Sequence, residues 1–124
     1  MSRLWVGAGA LYGMMAVAMA ALAAHALGGL GPLRLGMVVD AIRMQGWHAL
    51  ALVGTGIWAA QRPPGRGRTL AQVAGAAFLL GTGLFCLGVY GFALEGWGVV
   101  AVAPVGGSLL MLGWAALFVS ALLG

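Results

Sequence analysis

The chain has no lysine, two acidic residues (Asp40 and Glu95) and a single cysteine (Cys86). The shortage of charge excludes most. Charged residues make up 6% of the 124, against roughly 25% in an ordinary soluble domain. Hydrophobic residues make up 63%, and a chain this short has too little interior to hide them from water. Lipid is the expected solvent. The lone cysteine excludes an internal disulfide and forms no paired-cysteine motif, so Cys86 reads as a small packing residue. Paired carboxylates on one helix, a nucleophile elbow and a phosphate loop are all missing, so no enzyme and no cofactor are expected. Repeated arginines within a span, as voltage sensing needs, are missing too.

What charge there is lies in six arginines, giving a net +4. Three of them, Arg62, Arg66 and Arg68, share one loop. No aromatic and basic surface outside the membrane accompanies them, so nucleic acid is not an expected partner. The positive-inside rule accounts for the bias.

Four apolar runs, Leu4–Leu27, Met44–Ala60, Leu70–Leu94 and Val99–Leu123, come near or exceed the roughly 20 residues that span about 30 Å of hydrocarbon. The first is longer than the core of a signal peptide and is read as a membrane helix. The second extends backwards through Leu35–Arg43, with Pro32 suited to a first helical turn. The expectation is an all-α integral membrane four-helix bundle in one domain, with helices at about 4–27, 33–60, 69–94 and 99–123. Short loops make sequential helices antiparallel neighbours. Arg3, Arg62, Arg66 and Arg68 fall at one end, Arg34 and Arg43 at the other. The N-terminus, the arginine loop and the C-terminus are therefore expected to face the cytoplasm. Trp5 and Trp58 would mark the inner interface, Trp47, Tyr90 and Trp97 the outer one, and Trp114 would lie inside the bundle.

Twenty-three glycines suit helices that approach closely, because association in lipid relies on contact across small residues. Gly9 and Gly13 continue into Ala16, Ala20 and Ala23 on one face, and Ala77, Gly81 and Gly88 form a second stripe. Such stripes serve packing within the chain or between copies. A homo-oligomer or a partner membrane protein is expected alongside the lipid bilayer.

The remaining polar residues converge. At 1.5 Å per residue, His25 lies about 31 Å from Leu4, while His48 and Asp40 lie about 21 Å and about 33 Å from Arg62. Tyr90 and Glu95 end the third helix at the same level, and Ser108 sits at the depth of His48. His25, Asp40, Gln45, His48, Tyr90, Glu95 and Ser108 are thus the candidate ligand-binding residues, at the outer end. Gln45 and His48 share a helix face with Ala41 and Leu52. Polar groups in a membrane are costly and tend to be kept where they act, but near the interface the bland alternative is simple solvation. For His48 it is a hydrogen bond to a neighbouring helix. Two histidines could bind haem or a metal, but their levels differ and no His-x-x-x-His pair exists, so no metal is expected.

These residues carry a resemblance. Ala23-Ala24-His25-Ala26-Leu27 is similar to a Gly-Ala-His-Gly-Leu stretch. The run from Ala41 to Leu52, with Gln45, His48, Ala49 and Leu50, is similar to a Tyr-Gln-x-x-His-Ala-Leu-Ala-Leu block. Gly81 to Phe85 with Tyr90, and Ala103-Pro104-Val105-Gly106-Gly107 with Gly113-Trp114, complete the pattern. The chain resembles the domain-of-unknown-function 423 family of small bacterial inner-membrane proteins, itself similar to the transmembrane protein 256 group. Met44 departs from the family's usual tyrosine, and Cys86-Leu87-Gly88 replaces a serine-rich segment. The resemblance implies a four-helix membrane fold and little about activity. The functional expectation is binding or transport of a small polar ligand, ion or lipid headgroup at the outer cluster. The rival is a structural or assembly subunit acting through glycine-rich faces.

Overall fold

The computed structural model describes residues 1–98 and 101–123. It contains four helices and no strand among them: α1 (Ser2–His25), α2 (Pro32–Gln61), α3 (Arg66–Glu95) and α4 (Val102–Leu122), with a short 3₁₀ turn, Gly28–Leu30, after α1. The expected start of the fourth helix at Val99 lies outside the described residues. α1, α3 and α4 are each long and apolar enough to cross a membrane. α2 is as long as α3, but Arg34, Asp40, Arg43 and Gln45 dilute its first half, and His48 follows just beyond it.

Backbone chemistry sets the boundaries. Gly31 (φ 86°) turns the chain into α2, and Pro32 occupies the first turn, where a missing N–H costs nothing. α3 begins at Arg66, earlier than expected, because the break is complete at Gly65 (φ 152°) and Gly67 is accommodated within the helix. It ends at Gly96, in the left-handed region (φ 69°). There the Trp97 N–H reaches back to the Gly91 carbonyl, 3.1 Å, closing the last turn.

The main packings are α1 on α2, α2 on α3 and α3 on α4, with a lesser contact between α1 and α3. Glycines make the close ones possible. A Cβ at Gly9 would stand 2.6 Å from the Ala49 carbonyl, and one at Gly56 would stand 2.7 Å from that of Ser2. Between α3 and α4, Gly81 and Gly106 abut backbone to backbone, and Gly113 receives the Phe78 ring. Gly9, Gly13 and Gly81 of the two stripes thus face other helices of the same chain. Gly46 and Gly54 on α2 face open space instead. The start of α1 meets the end of α2 at Gly56, and Arg34 lies over the Phe92 ring at 5.3 Å. The antiparallel order therefore sets Arg3, Arg62, Arg66 and Arg68 at one end and Arg34 and Arg43 at the other.

Two tryptophans depart from expectation. Trp5 is buried in the core with Leu52, Ala74, Phe78 and Leu110 rather than marking an interface. Its ring lies on Gly75, where any side chain would exclude it, and its N–H donates to Gln72. Trp114 is 47% exposed instead of enclosed, and only its N–H edge turns inward. Trp47 and Trp97, at 62% and 50% exposed, do face outward.

Candidate functional site

α2 carries Gln45 and His48 on its buried face, with Ala41 and Leu52. The two polar side chains diverge. Gln45 turns toward α1 and α3. Its Nε2 donates to the Tyr12 carbonyl, 2.9 Å, and its Oε1 accepts from the Tyr90 hydroxyl, 2.8 Å. A carbonyl can only accept, so the amide nitrogen must face Tyr12, and the orientation of Gln45 is fixed. One Nε2–H and one Oε1 lone pair remain unused. His48 turns toward α4. The Trp114 Nε1–H donates to its Nε2, 3.0 Å, so Nε2 carries no proton. Nδ1 then bears the hydrogen and donates to the Met44 carbonyl at 2.6 Å. The imidazole also packs against the rings of Phe78 and Trp114, with centroids 5.7 and 5.8 Å away. Both ring nitrogens are occupied, so no lone pair is free for a metal.

Beside Gln45 lies a cavity of about 350 Å³ between α1 and α3. Tyr12, Gln45, Thr82 and Tyr90 are among its lining residues, Glu95 and Trp97 are at its α3 end, and Met15, Leu87 and Leu94 supply apolar surface. The lining is predominantly apolar. Within it, the Tyr12 hydroxyl is tied to the Leu79 carbonyl at 2.8 Å. The Thr82 hydroxyl is buried, at 1% exposure, and has no partner among the described residues. A buried hydroxyl without a hydrogen bond is costly, and that of Thr82 is sealed behind the wall, so a guest meets it only where the lining gives way.

Of the sequence candidates, the structure brings Gln45, Tyr90 and Glu95 to this cavity. His48 shares the buried face of α2 with Gln45 but turns toward α4 and does not line the cavity. His25 and Asp40 are exposed and do not line the cavity, Asp40 pairing with Arg43 at 3.4 Å in the open. Ser108 is also exposed and bonds the Pro104 carbonyl of its own helix, 2.9 Å. Tyr12 and Thr82 were missed. A hydroxyl in the middle of each neighbouring span was the available signal. Polar ties also occur at the arginine end, where Trp58 donates to Ser120 Oγ at 3.0 Å and Ser120 donates to the Gly67 carbonyl. Among the described residues, no three or more His, Cys, Asp or Glu side chains cluster closely enough to hold a metal ion.

A lipid-facing helical chain with a greasy cavity and a few convergent polar groups defines a small helical membrane protein. Residues 19–107 match the family described as "Protein of unknown function (DUF423)", and the chain belongs to that family. It is similar to a "UPF0382 membrane protein" of Haemophilus influenzae, 29% identical over 110 residues covering 87% of this chain and 85% of that protein. No solved structure matches it. The membrane setting expected from composition is therefore shared with a relative.

Proposed function

We propose that the chain is a non-enzymatic, four-span protein of the plasma membrane, with its arginine-rich end in the cytoplasm. In this reading it binds a lipid-like molecule in the cavity between α1 and α3. The observation that carries this reading is the predominantly apolar cavity, with Gln45 and Tyr90 on its wall and the unpartnered Thr82 hydroxyl buried just behind it. Such a site favours an apolar body ending in an uncharged hydroxyl or carbonyl, because the spare groups of Thr82, Gln45 and Tyr90 are neutral donors and acceptors. A small ion fits less well, since the lining offers no charge except Glu95 at its end. Binding is favoured over transport because the inward path from Gln45 meets Leu52 and Phe78, both fully buried.

Leu87, half exposed on the cavity wall, allows the test. Leu87→Trp should fill the space from the lipid side and remove co-purifying neutral lipid seen by native mass spectrometry, without changing thermal stability. Undiminished retention in this variant would defeat the binding reading. The second reading, an assembly subunit, is favoured by Gly46 and Gly54, which line up on the outward face of α2 with open space before them. Leucine at both positions should then break the oligomer seen by crosslinking in native membranes while leaving lipid retention intact.

A further inference from the structure

We propose that the arginine-loop end holds a built site for the phosphate of an anionic membrane lipid. Arg62, Arg66 and Arg68 line a hollow of about 300 Å³, with Leu123 on its wall. The only acids in the chain, Asp40 and Glu95, lie at the opposite end. Among the described residues, no aspartate or glutamate side chain therefore pairs with the three guanidinium groups.

Arg62 is held in place. Its guanidinium lies over the Trp58 ring at 4.7 Å, and the indole N–H is anchored on Ser120. Its Nε is sealed from solvent and has no acceptor among the described residues. A sealed nitrogen cannot itself meet an anion, so any contact with a phosphate falls to the terminal nitrogens of the fork. The start of α3 converges on the same hollow. Gly65 gives no side-chain cap and the first turn holds no acid. The first intrahelical bond there runs from the Thr69 N–H to the Gly65 carbonyl, leaving the amides of Arg66, Gly67 and Arg68 without intrahelical partners. Planar guanidinium forks and free helix amides both match an anion with several oxygens, and phosphate is that anion. Leu123 beside it, at the end of an apolar helix, suits a phosphate that carries acyl chains. A topological role needs only the number of arginines at this end. A built site needs this arrangement of them.

The experiment uses the full chain in nanodiscs containing phosphatidylglycerol and phosphatidylcholine, with retained lipid read by native mass spectrometry. Phosphatidylglycerol should be retained preferentially. Arg62→Lys keeps the charge but removes Nε and the planar fork, and should lower that retention about ten-fold. Arg3→Gln removes a charge from the same end outside the hollow and should change it by less than about two-fold. Exposed Arg66→Gln repeats the test without disturbing the Trp58 stack, should Arg62→Lys fail to fold, and its expected loss is also several-fold. Equal losses for Arg3→Gln and the hollow variants would reduce the effect to surface charge and overturn the site. Full retention in Arg62→Lys or Arg66→Gln overturns it too. Millimolar inorganic phosphate that displaces the bound lipid completely would reassign the hollow to a soluble anion.

Discussion

Gln45 and His48 lie three residues apart on one face of one helix, both almost fully buried, yet they meet opposite surroundings. His48 itself is fully matched, with Trp114 donating to one ring nitrogen and Met44 accepting from the other, although the Thr55 hydroxyl two turns along the same face is buried without a partner. That side borders the α3–α4 seam, where Gly81 and Gly106 bring backbones together. On the Gln45 side the helices stand apart, a cavity opens, and Thr82 and part of the Gln45 amide remain unpaired. In lipid, a satisfied polar pair ties helices together, whereas an unsatisfied one invites a guest. The closed side should therefore carry stability and the open side binding.

The largest way to break that division is at the seam. Gly106→Leu puts a side chain against the Phe85 and Gly81 backbone, which cannot yield as a flexible side chain would. Overpacking costs about 1–3 kcal/mol in a well-packed core, and here the upper end or more is expected, visible as a fall in unfolding temperature in detergent. A variant as stable as the parent would mean that the seam is looser than it stands here. Next comes His48→Ala, which leaves the Trp114 N–H without its acceptor. A loss of about 1–3 kcal/mol is expected, with lipid retention by the folded fraction unchanged. If retention fell as far as in Leu87→Trp while stability held, the histidine would belong to the binding side.

The fold was legible because the apolar runs are long and their punctuation is strong. Pro32 and Gly96 mark helix ends that sequence rules place within a few residues. The membrane setting was equally legible, since composition alone excludes water as solvent. The site was only half legible. Helical spacing shows that Gln45 and His48 are near neighbours on a face, but cannot show that α4 covers one and not the other. Depth counting grouped His25, Asp40 and Ser108 with them because it measures height and ignores direction around the axis. The belt rule misplaced Trp5 because a tryptophan near a helix end can also turn inward when a glycine, here Gly75, leaves room for the ring. Thr82 stood within a stretch read as glycine packing, and its lack of a partner becomes visible only once its neighbours are in place.

The finest discrimination between the two sides is Thr82→Val. Valine matches threonine in shape and differs in the hydroxyl alone, so packing at this fully buried position is preserved. The hydroxyl has no partner to lose, so stability should stay within about 0.5 kcal/mol or rise. If a guest supplies the missing hydrogen bond, affinity for a long-chain alcohol should fall about two- to ten-fold, the worth of one neutral hydrogen bond. Affinity for the matching alkane should stay level, because it never made that bond. Quenching of Trp97 at the cavity's end by brominated forms of the two probes would measure both. A parallel drop for alcohol and alkane would point to altered packing. A drop for neither would leave the open side of α2 as a mere void, no more functional than the closed one.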